Sequence, residues 1–175
     1  MGTIASDPVA PFVRRLTDAR ARLGPGGVAA LRRGSARPVG EPASAAQAFF
    51  ALGPPSGTRL EPAAWVAATL WARHELHGND AGSFGASLGR LARNDRAVAE
   101  RLLGRVLASD RGEAAAALRR CIGLLRDRTI AIDYARLTWD LAAWEHDGKD
   151  VQRRWARDFY RSSTDDLDPS NTTKG

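Results

Sequence analysis

One stretch decides the fold of this chain: Ile130-Ala131-Ile132-Asp133-Tyr134-Ala135-Arg136-Leu137, which continues through Asp140-Leu141 to Trp144. Asp133 is a good N-cap residue, and large apolar side chains recur after it at helical spacing. One face of the predicted helix is therefore a broad aromatic and aliphatic stripe. Such a stripe has to be buried against another element.

A second apolar stripe follows directly in the sequence. Val151, Trp155 and Phe159 recur at every fourth position, the last two within Trp155-Ala156-Arg157-Asp158-Phe159-Tyr160. Asp147-Gly148 lies between the two stripes and is typical of a turn. The pattern predicts an antiparallel helical hairpin in which Trp144 and Trp155 face each other or a common core.

The rest of the chain also predicts helices. Helix stops are expected at Gly24-Pro25-Gly26-Gly27 and at Gly53-Pro54-Pro55-Ser56-Gly57. Cap residues precede the other apolar runs: Ser6 and Asp7, Ser44, Ser83, Asn94-Asp95 and Asp110. No run of β-branched or aromatic residues alternates between turn signals. The fold class predicted is all-α, a compact two-lobed bundle of about eight helices.

The expected domain organisation is one helical domain over residues 1–160. Its N-terminal lobe covers about 1–80 and its C-terminal lobe about 81–160, because 175 residues are too few for two large independent domains. Residues 161–175 are polar and predict a disordered tail.

The composition favours an anionic partner. The net charge is +6 and the isoelectric point about 10.6, and only Lys149 and Lys174 among the 26 basic residues are lysines. Nucleic acid is the usual partner of such a chain, although solvated surface arginine is an open alternative. The single Cys121 excludes an intrachain disulfide and fits a reducing cytoplasm. We expect neither an export signal nor a membrane span.

Catalytic and metal-binding patterns are weak. His74-Glu75-Leu76-His77, with Asp80 nearby, spaces its histidines by three residues, whereas a zincin helix needs four. Cys121 lies in an apolar run, and no phosphate-binding loop is present. We therefore expect no enzyme, no metal site and no cofactor.

The arginines form the better candidate site. They occur in groups that helical spacing places on shared faces, opposite the apolar stripes. Guanidinium groups bind phosphate bidentately and stack on bases. The candidate nucleic-acid-binding residues are Arg32, Arg33, Arg37, Arg90, Arg93, Arg101, Arg105, Arg119, Arg120 and Arg126.

Several motifs resemble a known family. The stretches concerned are Ala30-Leu31-Arg32-Arg33-Gly34, Gly82-Ser83-Phe84-Gly85 with Leu88-Gly89-Arg90-Leu91, Leu118-Arg119-Arg120 with Leu124-Leu125-Arg126, and the two C-terminal stretches quoted above. In order and spacing they are similar to the CasB family, the small subunit of the type I-E CRISPR surveillance complex Cascade. The resemblance covers roughly residues 28–160.

The resemblance implies a non-catalytic helical subunit present in two copies. Its partners would be crRNA, target DNA, the large and backbone Cascade subunits and a second copy of itself, and its basic surface would stabilise the R-loop. Arg32, Arg33, Arg90, Arg119 and Arg120 lie within the matched motifs, and the other candidates extend them along helix faces.

An alternative function from another class has the same all-α fold but no nucleic-acid binding. The chain would then be a helical adaptor that docks a protein partner through a tryptophan-rich surface. Trp139 lies off the apolar stripe of its predicted helix and could be the interface anchor or a second core-facing residue.

Overall fold

The computed structural model describes residues 7–164, which form nine α-helices and no β-strand. The helices are α1 (Val9–Thr17), α2 (Ala19–Arg33), α3 (Ala43–Ala51), α4 (Leu60–His74), α5 (Phe84–Ala92), α6 (Arg96–Ala108), α7 (Arg111–Asp127), α8 (Tyr134–Ala142) and α9 (Asp150–Thr164). The all-α prediction is confirmed. No helix within this range is long and apolar enough to cross a membrane.

Four predicted helix starts are confirmed by their cap hydrogen bonds. In each case the cap side chain accepts a hydrogen bond from the backbone N–H three residues later, which satisfies one of the free donors at a helix N-terminus. The pairs are Ser83 with Ala86 at 3.3 Å, Asp95 with Val98 at 3.0 Å, Asp110 with Glu113 at 2.9 Å and Asp133 with Arg136 at 3.0 Å.

The N-terminal helices differ from the prediction. The sequence predicts one helix from a cap at Ser6 and Asp7 to the stop at Gly24, but Asp18 leaves the helical conformation and separates α1 from α2. Ser6 lies outside the described residues, and Asp7 accepts a hydrogen bond from the backbone N–H of Val9 at 2.9 Å. The predicted stop at Gly24 is a kink rather than an end: Gly24 has φ 69°, and the helix resumes at once. Ser44 does not cap α3, because that helix already begins at Ala43 after Pro42.

The predicted hairpin between the last two helices is wrong. Helix α9 packs along α5, whereas α8 packs on α4 and α1. Two glycines permit the packing of α9 on α5: a Cβ at Gly85 would overlap the carbonyl oxygen of Trp155, and one at Gly89 would overlap that of Phe159. Without a Cβ at these positions, α5 and α9 can approach this closely.

Trp144 and Trp155 nevertheless meet, as predicted. Their ring centroids are 5.0 Å apart, and both side chains are buried. Asp140 of α8 accepts a hydrogen bond from Trp155 Nε1 at 2.6 Å and pairs with Arg154. Burial raises the pKa of Asp140, while the hydrogen bond from Trp155 and the charge of Arg154 act in the opposite direction. The carboxylate of Asp140 thus links α8 to α9 through polar contacts with Trp155 and Arg154.

A single hydrophobic core draws residues from all nine helices of the described chain. Helix α4 lies at its centre, with ten of its fifteen residues buried, as its apolar pattern predicts. Cys121 is fully buried, and burial raises the pKa of its thiol to about 12. Since α8 packs on α4 and α1, helix contacts cross the predicted lobe boundary near residue 80.

The folded part of the chain extends further than expected. Helix α9 continues to Thr164, four residues beyond the expected end of the folded domain, and Arg93 Nε donates to the carbonyl oxygen of Ser162 at 3.0 Å. The remainder of the predicted disordered segment, 165–175, lies outside the described residues.

Candidate nucleic-acid interface

The structure places nine of the ten candidate arginines at the exposed surface and leaves Arg90 half-buried. Helical spacing therefore predicted the exposure of nine of these arginines but not the partial burial of Arg90. It did not predict which of them come together, because that depends on how the helices pack. The ten residues divide into three surface groups and a pair of flanking residues.

The first group begins where α2 ends beside α4. Arg32 Nε donates to the carbonyl oxygen of Ala72 at 2.9 Å, and the guanidinium of Arg73 donates to the carbonyl oxygen of Arg32 at 3.2 Å. Each side chain thus binds the backbone of the other's helix. These reciprocal hydrogen bonds hold two positive charges side by side, because main-chain acceptors in the last helical turns attract both guanidinium groups.

Helix α7 adds two more positive charges to this group. Arg119 and Arg126 are exposed on the helix, which packs on α4. The pKa of Arg73 is lowered, first by its partial burial and then by the positive charges of Arg119, Arg32 and Arg126. We call Arg32, Arg73, Arg119 and Arg126 the arginine cluster.

The acidic residues near the arginine cluster are few and placed at its edges. Arg126 pairs with the adjacent Asp127 at 3.2 Å. Glu75, the residue after α4, pairs with Arg32 at 3.2 Å and also with Arg20 of α2. The hydrogen bond and charge of Glu75 raise the pKa of Arg20. Arg73 and Arg119 form no ion pair with an acidic side chain of the described chain, so the cluster keeps a positive surface.

The second group lies in a groove between α6 and α7. Arg105 and Arg120 line this groove, a cavity of about 680 Å³ that Glu113 also borders. Arg101 lies one helical turn from Arg105 on the exposed side of α6. Arg119 and Arg120 are adjacent in sequence, yet they face two different surfaces, the arginine cluster and this groove.

The third group, Arg90 and Arg93, is bound to the fold itself. The guanidinium of Arg90 donates to the carbonyl oxygen of Ala81 at 2.7 Å and to Ser87 Oγ at 3.0 Å. Its pKa is lowered by burial and then by the charge of Arg93. Arg90 therefore holds the loop before α5, and Arg93 holds the end of α9.

Two further candidates, Arg33 and Arg37, flank the arginine cluster. Arg33 is exposed in the last turn of α2, and its guanidinium lies 3.5 Å from Ser44 Oγ. Arg37 is exposed in the connection to α3, and its carbonyl oxygen accepts a hydrogen bond from Trp65 Nε1 at 3.0 Å. Both side chains remain available at the surface.

Arg73 is a residue that the sequence analysis missed. It stands at the end of an otherwise apolar helix, where a single arginine has no neighbour at helical spacing that would mark a basic face. Its position in the sequence could have identified it, because an arginine in the last turn of a central helix lies where that helix reaches the surface.

The two histidines of the weak metal pattern are engaged elsewhere. His74 is buried; its Nε2 donates to the carbonyl oxygen of Ile130 at 2.8 Å, so its Nδ1 accepts from the hydroxyl of Tyr134 at 3.1 Å. His77 Nδ1 accepts from the backbone N–H of Tyr134 at 3.2 Å. Residues 7–164 contain no group of three possible metal ligands. The histidines tie α4 to the start of α8.

Trp139 points away from the core. Its side chain is 43% exposed, whereas the other four tryptophans are at most 3% exposed. A second core-facing position for Trp139 is therefore excluded. The residue is a large apolar group at the surface of α8, of a kind enriched at protein interfaces.

The comparisons with known proteins agree with this architecture. A family model described as CRISPR-associated protein Cse2 matches residues 27–160. A CRISPR-associated protein Cse2 of Thermus thermophilus is 38% identical over 69 residues, a match that spans 39% of this chain and 38% of that relative's length.

Solved structures match over most of their length. A Cse2-family protein of T. thermophilus superposes with a TM-score of 0.73 at 29% identity, covering 89% of this chain and 99% of the other. CasB of M. ruber gives 0.75 at 25% identity, with 93% and 98% covered. A chain of a CRISPR RNA-guided surveillance complex gives 0.74 at 25% identity, with 91% and 95% covered.

Proposed function

The chain belongs to the Cse2 family, also called CasB, the non-catalytic small subunits of the type I-E Cascade complex, and from this premise we propose that it binds nucleic-acid backbone through the arginine cluster. The observation that supports the proposal most is the convergence of four arginines from three helices, α2, α4 and α7, on one surface. Hydrogen bonds to main-chain oxygens hold Arg32 and Arg73 side by side, and Arg119 and Arg126 add positive charge close to Arg73.

The proposed mode of binding is independent of base sequence. Each guanidinium offers paired N–H donors that match two phosphate oxygens, and phosphate binding releases condensed counterions. Arg32, Arg73 and Arg126 lie in the last turns of their helices and Arg119 lies in the middle of α7. All four are thus carried by regular helix, which suits a surface that follows a sugar-phosphate backbone. In a complex whose guide RNA reads the target by base pairing, the protein has only to hold strands in place.

The proposed partners are the crRNA, the target DNA and the other Cascade subunits, together with a second copy of this chain. We propose that the cluster supports the R-loop by holding a single strand. The groove lined by Arg105 and Arg120 is a second contact surface for the same strand, because both surfaces share helix α7. The cytoplasmic location predicted from the sequence stays a prediction.

The test is binding of labelled single-stranded RNA and DNA of mixed sequence, measured by fluorescence anisotropy at two salt concentrations. The double variant Arg119→Gln/Arg126→Gln should bind roughly tenfold more weakly to every sequence and flatten the salt dependence by about two units. The matched control is Arg153→Gln/Arg157→Gln, which removes the same charge from the exposed side of α9. Equal losses in the two double variants would reduce the effect to overall charge and refute the proposal.

A second measurement tests the role within the complex. Cascade assembled with the Arg119→Gln/Arg126→Gln subunit should form the R-loop but release the displaced strand sooner than the wild-type complex, and more so at higher salt. A lifetime equal to that of the wild type would contradict an R-loop role for the cluster.

The exposed Trp139 supports a second candidate function, a protein-docking adaptor. Large exposed aromatic side chains often anchor interfaces. Trp139→Ala should then weaken assembly with the other subunits with little dependence on salt, while nucleic-acid binding by the isolated chain stays unchanged. The two functions are thus separated by their salt dependence.

A further inference from the structure

Glu75 occupies an unusual place beside the arginine cluster. It accepts hydrogen bonds from two arginines: Arg20 donates through both Nε and a terminal nitrogen, the latter at 2.8 Å, and Arg32 donates through a terminal nitrogen at 3.2 Å. Both carboxylate oxygens are therefore held by a bidentate arginine fork, and a second arginine completes the site. Phosphate oxygens accept hydrogen bonds from arginine in the same geometry.

Local backbone preference does not explain a glutamate at this position. Glu75 terminates α4 in the left-handed conformation, with φ 55°. Glycine is the usual residue there because it has no Cβ to approach the following carbonyl oxygen, and asparagine is tolerated because its short polar side chain can form a local hydrogen bond. The carboxylate is therefore held at a strained position, where its side chain contacts Arg20 and Arg32.

The fork is accessible from solvent. The side chain of Arg20 is 60% exposed and that of Glu75 is 22% exposed. Arg32 belongs both to the fork and to the arginine cluster, since its Nε binds the backbone of α4 next to Arg73. A phosphate that replaced the Glu75 carboxylate would thus lie on a path continuous with the cluster.

We propose that Arg20 and Arg32 form a phosphate-binding fork that the Glu75 carboxylate occupies in the free chain, and that a backbone phosphate displaces this carboxylate on binding. The proposal rests on the nucleic-acid-binding function proposed above. It assigns Arg20 as a further phosphate ligand and Glu75 as the residue that weakens binding to stray nucleic acid. Each nucleic-acid strand has to displace the Glu75 carboxylate before its phosphate can bind both Arg20 and Arg32.

The experiment compares Glu75→Gln with the wild-type chain in binding to a labelled single strand of mixed sequence, about 30 nucleotides long. Glu75→Gln should bind roughly three- to tenfold more tightly, with a salt dependence steeper by about one unit, because Arg20 gains a phosphate contact. The charge-matched control is Glu145→Gln, which also removes one negative charge and one arginine partner, Arg111, at a distant surface. It should change affinity by less than about twofold.

The double variant Arg20→Gln/Glu75→Gln identifies the ligand. If Arg20 takes the phosphate, the gain from Glu75→Gln is lost in this variant, whereas a gain that comes from freeing Arg32 alone survives. The double variant has the net charge of the wild type, so the effect of net charge is measured by Glu145→Gln instead. Glu75→Asn is the second variant, because asparagine tolerates the left-handed backbone and this chain should fold at least as well as the wild type. Thermal melts of each variant accompany the titrations.

The outcomes separate this proposal from the one on which it rests. If wild type binds, Arg119→Gln/Arg126→Gln weakens binding and Glu75→Gln matches Glu145→Gln, the fork is refuted and the arginine cluster stands. A gain that persists in Arg20→Gln/Glu75→Gln also refutes the fork. If no variant binds the strand even at low salt, both proposals are overturned.

Discussion

The interface between α5 and α9 and the surface formed by α2, α4 and α7 use helix packing in opposite ways. The first interface is apolar and glycine-lined, and its side chains are buried to the point where no Cβ fits at Gly85 or Gly89. The second carries charges that would repel one another, and it is held by arginines that bind backbone oxygens of neighbouring helices. Substitutions should therefore affect stability in the first region and binding in the second.

The largest effect is expected on stability, for a substitution in the apolar core around α9. Trp155→Ala removes a fully buried ring that contacts Trp144 and leaves the buried carboxylate of Asp140 without one donor. It should lower the free energy of unfolding by about 3 to 5 kcal/mol. Chemical denaturation measures this change.

Trp139→Ala is the control for that prediction. Its side chain is the most exposed of the five tryptophans, so truncation should change stability by about 0.5 kcal/mol or less. Equal losses for the two variants would show that burial does not distinguish these tryptophans, and the comparison of regions would fail.

The next effect concerns the close approach of α5 and α9. Gly85→Ala adds a methyl group that collides with the backbone of α9 and should cost about 1 to 3 kcal/mol. Gly104→Ala is the matched control in the middle of α6, where a Cβ meets nothing within 4 Å and should instead stabilise the helix by about 0.5 to 1 kcal/mol. Thermal melts that moved in the same direction for both variants would contradict the glycine-lined interface.

Substitution of either of two adjacent arginines on α7 should have a smaller effect, on nucleic-acid binding rather than on stability, and it tests the charged surface. Arg119→Gln should weaken single-strand binding by about 1 kcal/mol, as expected for one lost phosphate contact, and should change stability by less than about 0.5 kcal/mol. Arg120→Gln, which faces the groove with α6, should weaken binding less. If the two single variants weaken binding equally in anisotropy titrations, the interface extends over both faces of α7.

The smallest expected effect depends on pH. Burial lowers the pKa of His74; the charge of Arg126 acts in the same direction, and the hydrogen bond that His74 Nε2 donates to the carbonyl oxygen of Ile130 acts in the opposite direction. The unfolded chain therefore binds a proton near pH 6.5 that the folded chain resists. This contribution to stability is complete above about pH 6.5 and is lost as the pH falls below it.

Melting temperatures at a series of pH values on either side of the ordinary histidine pKa, about 6.5, measure this contribution. The decrease in Tm toward acid should be smaller in His74→Gln than in the wild-type chain, because the titrating group is gone. His146→Gln, which removes an exposed histidine, should keep the wild-type decrease. An unchanged decrease in His74→Gln would show that the buried imidazole does not set the pH response.

Local signals in the sequence predicted local structure well. Ser83, Asp95, Asp110 and Asp133 mark helix starts because each cap bond is formed within four residues. The helix on which α9 packs could not be predicted from such local signals. Proximity in sequence favours α8 as its partner. The requirement for glycine at position 85 arises only when α9 lies against α5.

The candidate site shows the same limit. Helical periodicity predicts that Arg119 and Arg126 are exposed, but the effect of their charges on Arg73 depends on how α7 packs on α4. Arg73 lacked a basic neighbour at helical spacing, so its role needed the three-dimensional structure. Arg90 has the same spacing signal as the others, yet it binds the carbonyl oxygen of Ala81, which no periodicity shows.

Because Trp139 is the one exposed tryptophan of the five, the intrinsic fluorescence of the protein can report on the surface of α8. Four indoles are buried away from water and should emit at shorter wavelength, whereas the indole of Trp139 is exposed to water and should contribute the long-wavelength, acrylamide-quenchable part of the emission. A neighbouring subunit that covers α8 would shift this component to the blue and protect it from the quencher. A strand bound only at the arginine cluster would leave it unchanged, so unlabelled protein can report which of its surfaces is in use.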